Sequence, residues 1–324
     1  MDNQSAYLAL INKSLQEIAY PCCAEKLFEP IRYTLALGGK RIRPLLTLMS
    51  ASVLSDRTSD ALPVALGLEV FHNFTLLHDD LMDHAEMRRN QPTVHCKWDE
   101  NTAILSGDAM QIMAYQLIAK APSDYLQPIL HLFSQTALEI CEGQQLDMDF
   151  ESRYDVSADE YIEMIRLKTA VLLGCALKSG AIIGGLSPKD ADLLYSFGEK
   201  IGLAFQLKDD WLDVYADSAV FGKKIGGDIL NNKKTYLLIV AFSRASSAEQ
   251  KLMLHAMNDK TFSPEKKIAL FTRLYDTTSA KRLCEDKMRF YFKQGLASLA
   301  QLSLNEQQTA PFRQLAERLM YRES

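Results

Sequence analysis

Several features common in other protein classes are missing from this chain of 324 residues. No stretch pairs a basic N-terminal region with an apolar run, and no apolar run reaches the ~18 residues that a membrane span needs. Neither an export signal nor a membrane span is expected, and the cytoplasm is the expected compartment. The six cysteines, Cys22, Cys23, Cys96, Cys141, Cys175 and Cys284, show no C-x-x-C pair and no zinc-type spacing. In a chain with 48% hydrophobic residues, long enough to bury a core without staples, they are expected to be reduced core thiols. Basic excess is lacking too. A net charge of −5 argues against a general nucleic-acid binder and leaves small molecules as the expected partners.

Strand-like alternation is almost absent as well. Tyr7, Leu8, Leu10, Ile11, Leu15 and Ile18 recur at helical spacing, and the pattern continues nearly to the C-terminus. Only 10 prolines and 15 glycines interrupt it, at expected breaks such as Pro30, Gly38-Gly39, Pro92, Pro122, Pro188 and Pro264. Ten or more helices in one all-α bundle follow, with long helices expected over Leu62–Met82, Ile104–Ala119 and Leu126–Leu146. No linker or low-complexity segment divides the chain.

The chemistry starts at Phe71 to Asp83, FHNFTLLHDDLMD. At about 100° per residue, Asp79 and Asp83 project from nearly one helix face while Asp80 sits to one side. Two carboxylates in one small volume repel, and a hard divalent cation with oxygen ligands lets both stay ionised. A solvated acidic helix end is the alternative, although a helix C-terminus disfavours negative charge. A second copy of DDxxD, 130 residues downstream in QLKDDWLDV, brings Asp209, Asp210 and Asp213 on another apolar segment and favours the metal.

Cations are placed to meet an anion. Gly38 to Pro44, GGKRIRP, sets two glycines, Lys40 and Arg43 before a proline suited to the first turn of a helix, a loop fit for a diphosphate or, equally, a helix end with solvated charges. Arg88 and Arg89 are adjacent in HAEMRRNQPTVH, and a pair of guanidinium forks can hold two phosphate groups. In MIRLKTAVLL, Lys168 precedes Thr169 among apolar neighbours and needs a partner or a route to the surface. Gln144 and Asp147 in GQQLDMD are open between a cavity and a surface cap. GKKIGGDILNNKKT, Gly222 to Thr235, reads as a further phosphate-contacting loop, whereas His72 by itself reads as a core histidine.

In their order and spacing from roughly residue 36 to 236, GGKRIRP, DDLMD followed by RR, KT, FQLKDDWLD and GKKIGGDILNNKKT resemble the trans-prenyl diphosphate synthases of the farnesyl and geranylgeranyl type. The resemblance implies an isoprenoid-synthase helical bundle around a deep central cavity, a single polyprenyl synthase domain over residues 1–324 and a homodimer, with the two aspartate motifs facing each other across the cavity. By resemblance, Asp79, Asp83 and Asp209 ligate three Mg2+ ions, with Asp80, Asp210 and Asp213 in second rank. Arg88, Lys168, Thr169, Gln206, Lys223 and Lys233 contact the allylic diphosphate. By the same resemblance Lys168, Thr169 and Gln206 also count as catalytic, as sources of oxygen dipoles for the allylic cation. Lys40, Arg43, His72 and Arg89 hold isopentenyl diphosphate.

Phe74, Thr75 and, a turn deeper, Phe71 occupy the family's chain-length positions, and one aromatic there implies a farnesyl or geranylgeranyl product, with geranylgeranyl slightly favoured. A class I terpene cyclase normally lacks the second DDxxD and the isopentenyl diphosphate site, and a non-catalytic partner subunit usually loses an aspartate motif. Both motifs stand here. Two positions depart from the family pattern, Asn90 for a glycine and Leu237 for a proline. Asn tolerates left-handed backbone, so the first departure leaves the loop workable.

Overall fold

The computed structural model describes residues 3–21, 23–216, 225–259 and 261–321. Among them the only strands are β1 (Met87–Arg88) and β2 (Gln91–Pro92), a short antiparallel hairpin; everything else regular is helical. The expected all-α architecture is what the chain adopts. Its helices are α1 (Asn3–Gln16), α2 (Glu25–Ala36), α3 (Ile42–Ala51), α4 (Thr58–Met82), α5 (Val94–Lys97), α6 (Glu100–Ile118), α7 (Ser123–Glu151), α8 (Ala158–Ile165), α9 (Val171–Ile183) and α10 (Pro188–Tyr215). After these come α11 (Gly227–Leu230), α12 (Tyr236–Arg244), α13 (Ser247–Asn258), α14 (Pro264–Thr277), α15 (Ala280–Leu299) and α16 (Glu306–Met320).

The breaks at Gly38-Gly39, Pro122, Pro188 and Pro264 fall where the sequence places them, but Pro30 does not break anything. It is buried inside α2, where its carbonyl accepts from Thr34 Oγ1 at 2.8 Å, so packing overrides the proline's local preference. The expectation of core thiols needs correcting as well. All five described cysteines are free, but only Cys175 and Cys284 are buried; Cys23, Cys96 and Cys141 are exposed on helix or turn faces that the core does not reach.

Contacts divide the chain into two compact units, one from Met1–Ser134 and Cys175–Asp192, the other from Gln135–Gly174 and Leu193–Ser324. In the first, α4 is the central helix. Ala65 to Phe71 are all buried, so α4 carries core residues all round rather than one apolar stripe. It packs chiefly on α6 and α3. The approach to α6 is close: a Cβ on Gly67 would lie 2.7 Å from Ile118 Cγ1, and one on Gly107 would overlap the His78 ring.

The second unit contains a feature with direct bearing on the site. Between α8 and α9 the chain widens for five residues, Arg166–Ala170, into a π-helical turn. Such turns are rare and often mark functional positions, because they rotate side chains off the regular helical register. Here the turn is packed on two sides, since a Cβ on Gly143 of α7 would fall 2.3 Å from Lys168 N and one on Gly202 of α10 would fall 2.7 Å from Ala170 Cα.

Candidate diphosphate and metal site

The first acid motif closes α4. Asp83 is the C-cap, its N–H donating to Asp79 O at 2.9 Å, which puts the two residues one turn apart as the helical spacing requires. Asp80 turns inward and is buried. Its Oδ2 accepts from Arg88 Nε at 2.6 Å, and Arg88 Nη2 lies 3.7 Å from Asp79 Oδ2. Burial pushes the Asp80 carboxyl up, and the Arg88 hydrogen bond opposes the shift. Asp80 Oδ1 has no partner although it is buried.

Arg88 and Arg89 reach this end of α4 through the hairpin. Arg89 (φ 53°) and Asn90 (φ 60°) are both left-handed and form the two-residue turn between β1 and β2, a conformation compatible with type I′ hairpin geometry. The tolerance expected of Asn90 is therefore used. Arg89 Nη1 donates to Gly38 O, which ties the hairpin to the glycine loop. A Cβ on Gly39 would stand 2.8 Å from Arg89 Nη2, so the second glycine gives the guanidinium its seat.

Pro44 falls in the first turn of α3, as its place in GGKRIRP suggests. Arg43 is half-buried and its Nε lacks a partner; burial pushes its guanidinium down to about 10, opposed by the charge of Glu69. His72, one to two turns below Asp79, is held well below the ordinary histidine value by burial and then by Arg43, Arg89, Arg88 and Arg41. It is a neutral imidazole near pH 7, able to donate one hydrogen bond without adding charge to a crowded cationic cluster. Lys40, three residues before Arg43, is exposed.

Below the acid end runs a column of rings. His78 stacks edge-on against Phe74 (centroids 4.8 Å), Phe74 lies 5.4 Å from Phe71, Phe71 is 5.0 Å from Phe133, and Phe133 is 4.9 Å from Tyr115. Thr75 is half-buried and spends its hydroxyl on His72 O at 2.8 Å. His78 Nε2 is 3.2 Å from Ile104 O. Phe133 and Tyr115 were not legible as members of the column, because they come from α7 and α6 and no spacing in the sequence links them to α4.

The second unit builds its own cluster around Asp210, which is buried. Asp210 accepts from Tyr161 OH and, at 3.1 Å, from Gln206 Nε2; Thr169 Oγ1 donates in turn to Gln206 Oε1 at 3.3 Å. Burial and Asp228 push the Asp210 carboxyl up to about 7 against those hydrogen bonds and Lys233. Asp213 accepts from the Asp228 N–H, in α11, at 3.0 Å. Lys168 Nζ donates to Asp147 Oδ2 at 2.5 Å, which resolves the open reading of Asp147 in favour of the Lys168 pair. Thr169, Gln206, Asp210 and Tyr161 thus form one hydrogen-bonded chain, in which the sequence gives no sign of Tyr161. Asp209 is half-buried on α10 and Lys233 is exposed before α12. Lys223 lies outside the described residues.

Among the described residues no group of three or more His, Cys, Asp or Glu side chains is arranged to hold an ion by itself. The donor set nevertheless fits Mg2+. It is made of carboxylate oxygens alone, and Mg2+ commonly takes one or two carboxylates while water and phosphate oxygens complete its octahedron.

Helices that carry two DDxxD clusters, each with arginine, lysine or hydroxyl donors around it, define an all-α protein built to handle diphosphates. The polyprenyl synthetase family model matches residues 24–274, and the chain belongs to that family. It is 38% identical over 292 residues, 89% of this chain and 90% of the relative, to a short chain isoprenyl diphosphate synthase of Methanothermobacter thermautotrophicus. It is 40% identical over 244 residues to a geranylgeranyl diphosphate synthase of Methanosarcina mazei, covering 75% of this chain and 74% of that one. A crystal structure of a geranylgeranyl pyrophosphate synthase superposes over 100% of both chains with a TM-score of 0.94 at 41% identity. The fold is the isoprenoid-synthase fold.

Proposed function

We propose that this short-chain prenyltransferase joins isopentenyl diphosphate to an allylic diphosphate and releases geranylgeranyl diphosphate in preference to farnesyl diphosphate. The observation that carries the reading is the gathering, within one unit, of the Asp79 and Asp83 helix end, the Arg43 and Arg89 cations with neutral His72 among them, and the ring column beneath. Ionisable oxygens, donors for an anion and an apolar floor gathered around α4 suit a substrate with a charged head and a growing hydrocarbon tail.

Asp79, Asp83 and Asp209 would hold Mg2+, three ions with diphosphate bound, with Asp80, Asp210 and Asp213 in support, and the ions would supply positive charge against the allylic diphosphate. Arg88, Lys168, Lys223 and Lys233 donate to the same diphosphate oxygens as the allylic C–O bond breaks. The carbonyl oxygen of Gln206 and the hydroxyl of Thr169 turn partial negative charge toward the allylic cation. Lys40, Arg43 and Arg89 hold the head of isopentenyl diphosphate, with neutral His72 as an additional donor. Its double bond attacks the cation to form the new C–C bond, and a proton leaves the adjacent carbon for the departing diphosphate. Phe74, Thr75 and Phe71 limit the chain.

Residues 1–324 act in this proposal as one polyprenyl synthase domain, in the cytoplasm and as a homodimer. Ile104, Leu105 and Ile112 of α6 are 44%, 58% and 61% exposed and lie close together around the helix, an apolar strip suited to a second copy. No helix among the described residues is long and apolar enough to cross a membrane. Purified protein supplied with isopentenyl diphosphate and farnesyl diphosphate tests the product assignment. Chromatography of the dephosphorylated products should show geranylgeraniol as the main alcohol, and a longer main product would refute the floor.

A further inference from the structure

Glu69 stands in the most deeply buried part of α4, with buried residues on both sides of it in sequence. A carboxylate there needs a countercharge. Its Oε1 accepts from Arg41 Nη1 at 2.7 Å and from Asn73 Nδ2 at 3.1 Å, and both members of the Glu69–Arg41 ion pair have side chains only 3% exposed. The other two nitrogens of Arg41 also donate, Nη2 to Leu35 O at 2.6 Å and Nε to Asn12 Oδ1 at 3.2 Å. The guanidinium is therefore clamped by α1, α2 and α4 together.

The backbone of Arg41 is unusual in the same place. It is the N-cap of α3 with φ 48° and ψ 37°, a left-handed conformation that an arginine does not adopt without compensation. Lys40 precedes it and Arg43 follows two residues later, so whatever holds Arg41 in that conformation sets where both cations stand. Gly38, at the other end of the loop, accepts from Arg89.

We propose that Glu69, acting through Arg41, is the positioning residue for the isopentenyl diphosphate head: it fixes the loop that presents Lys40 and Arg43 and is the buried countercharge of the arginine cluster. The inference rests on the assignment of those two cations made under the proposed function. A buried ion pair is by itself a weak source of stability relative to an apolar pair of the same shape, which favours a role in placement. The reach of Glu69 beyond Arg41 agrees, because its charge also favours the protonated forms of Arg43 and Arg89. Without it, Arg41, Arg43 and Arg89 would be left crowding one another.

Steady-state kinetics with Mg2+, varying isopentenyl diphosphate and the allylic diphosphate in turn, tests the proposal. Glu69→Gln keeps the shape and a hydrogen-bond acceptor but removes the charge. Its KM for isopentenyl diphosphate should rise about ten- to a hundredfold, the scale of a binding group displaced by an ångström. The KM for the allylic diphosphate should stay within about twofold by the same reasoning, and kcat at saturation should change far less than the first KM. Arg41→Lys should split the two KM values in the same direction, and Glu69→Asp, which restores the charge on a shorter arm, should recover part of the loss.

A parallel fall in kcat and rise in both KM values, or no change in either KM, would overturn the positioning role. If Glu69→Gln does not accumulate folded, Glu69→Asp and Arg41→Lys decide by the same split. Wild-type protein in the same assay separates the two levels. Elongation by wild type with an unaltered Glu69→Gln overturns this inference alone, whereas no elongation by wild type overturns the parent assignment and this inference with it.

Discussion

Arg88 donates to Asp80 at 2.6 Å while standing 3.7 Å from Asp79, so a single guanidinium distinguishes two adjacent carboxylates of one motif. Asp80 is buried and serves to orient Arg88; Asp79 and Asp83 share the other face of the helix end. The two positions should therefore fail differently. Asp79→Ala, which removes a proposed metal ligand, should cost about a thousandfold or more in kcat with the fold intact, on the scale of losing one electrostatic stabiliser. Asp80→Asn keeps shape and packing and should cost about tenfold, through a looser Arg88. Circular dichroism and initial rates on both variants check the pair, and equal losses would contradict the division of roles.

The ring column makes the product-length prediction concrete. Phe74 touches both His78 and Phe71, and Phe71 rests on Phe133. Phe74→Ala opens one storey only, with Phe71 next below. The variant should make longer prenyl chains than wild type, and Phe71→Ala added to it should lengthen them again. Product chromatography reads both results, and unchanged lengths would exclude Phe74 as the stop.

Gly39 offers a test of the Arg89 seat. A Cβ there would meet Arg89 Nη2 at 2.8 Å, and φ 135° already disfavours a side chain. Gly39→Ala should raise the KM for isopentenyl diphosphate about tenfold or more by moving Arg89, while the allylic KM moves little. A larger effect on the allylic substrate would place Arg89 in the wrong site.

The pH dependence follows from His72. Its folded value lies well below its ordinary 6.5, because burial and four arginines oppose its protonation. Below 6.5 the unfolded chain binds this proton and the folded protein does not, so stability rises with pH in that range and is lost as pH falls toward the folded value. Above 6.5 the residue contributes no slope. His72→Gln should therefore lose less Tm than wild type between pH 7 and pH 5. Thermal melts at the two pH values check the sign; a steeper acid loss in the variant would contradict it.

How far the sequence foretells this site differs from residue to residue. Asp79, Asp83 and the Arg88-Arg89 pair are legible because helical pitch and adjacency in the chain fix their relation. Thr169 and Gln206 hydrogen-bond to each other although 37 residues apart, and Tyr161 joins their cluster from α8 with nothing local to announce it. The π-helical turn is equally silent. It depends on glycines at 143 and 202 packing against it from helices distant in the sequence. Glu69 does carry a signal, a lone acid in an apolar helical run, which physical chemistry obliges to have a buried partner. The hairpin carrying Arg88 was hidden by its brevity, two residues to a strand. Pro30 misled as a break because the burial of α2 outweighed it.

Mg2+-dependent chain elongation at the two aspartate motifs is the activity proposed for this chain. Incubation of purified protein with radiolabelled isopentenyl diphosphate and either dimethylallyl or farnesyl diphosphate, with Mg2+ or with a chelator, tests it most directly. Label should appear in an acid-labile prenyl product with Mg2+ and be absent with the chelator. No labelled product from either primer in the presence of Mg2+ would contradict it.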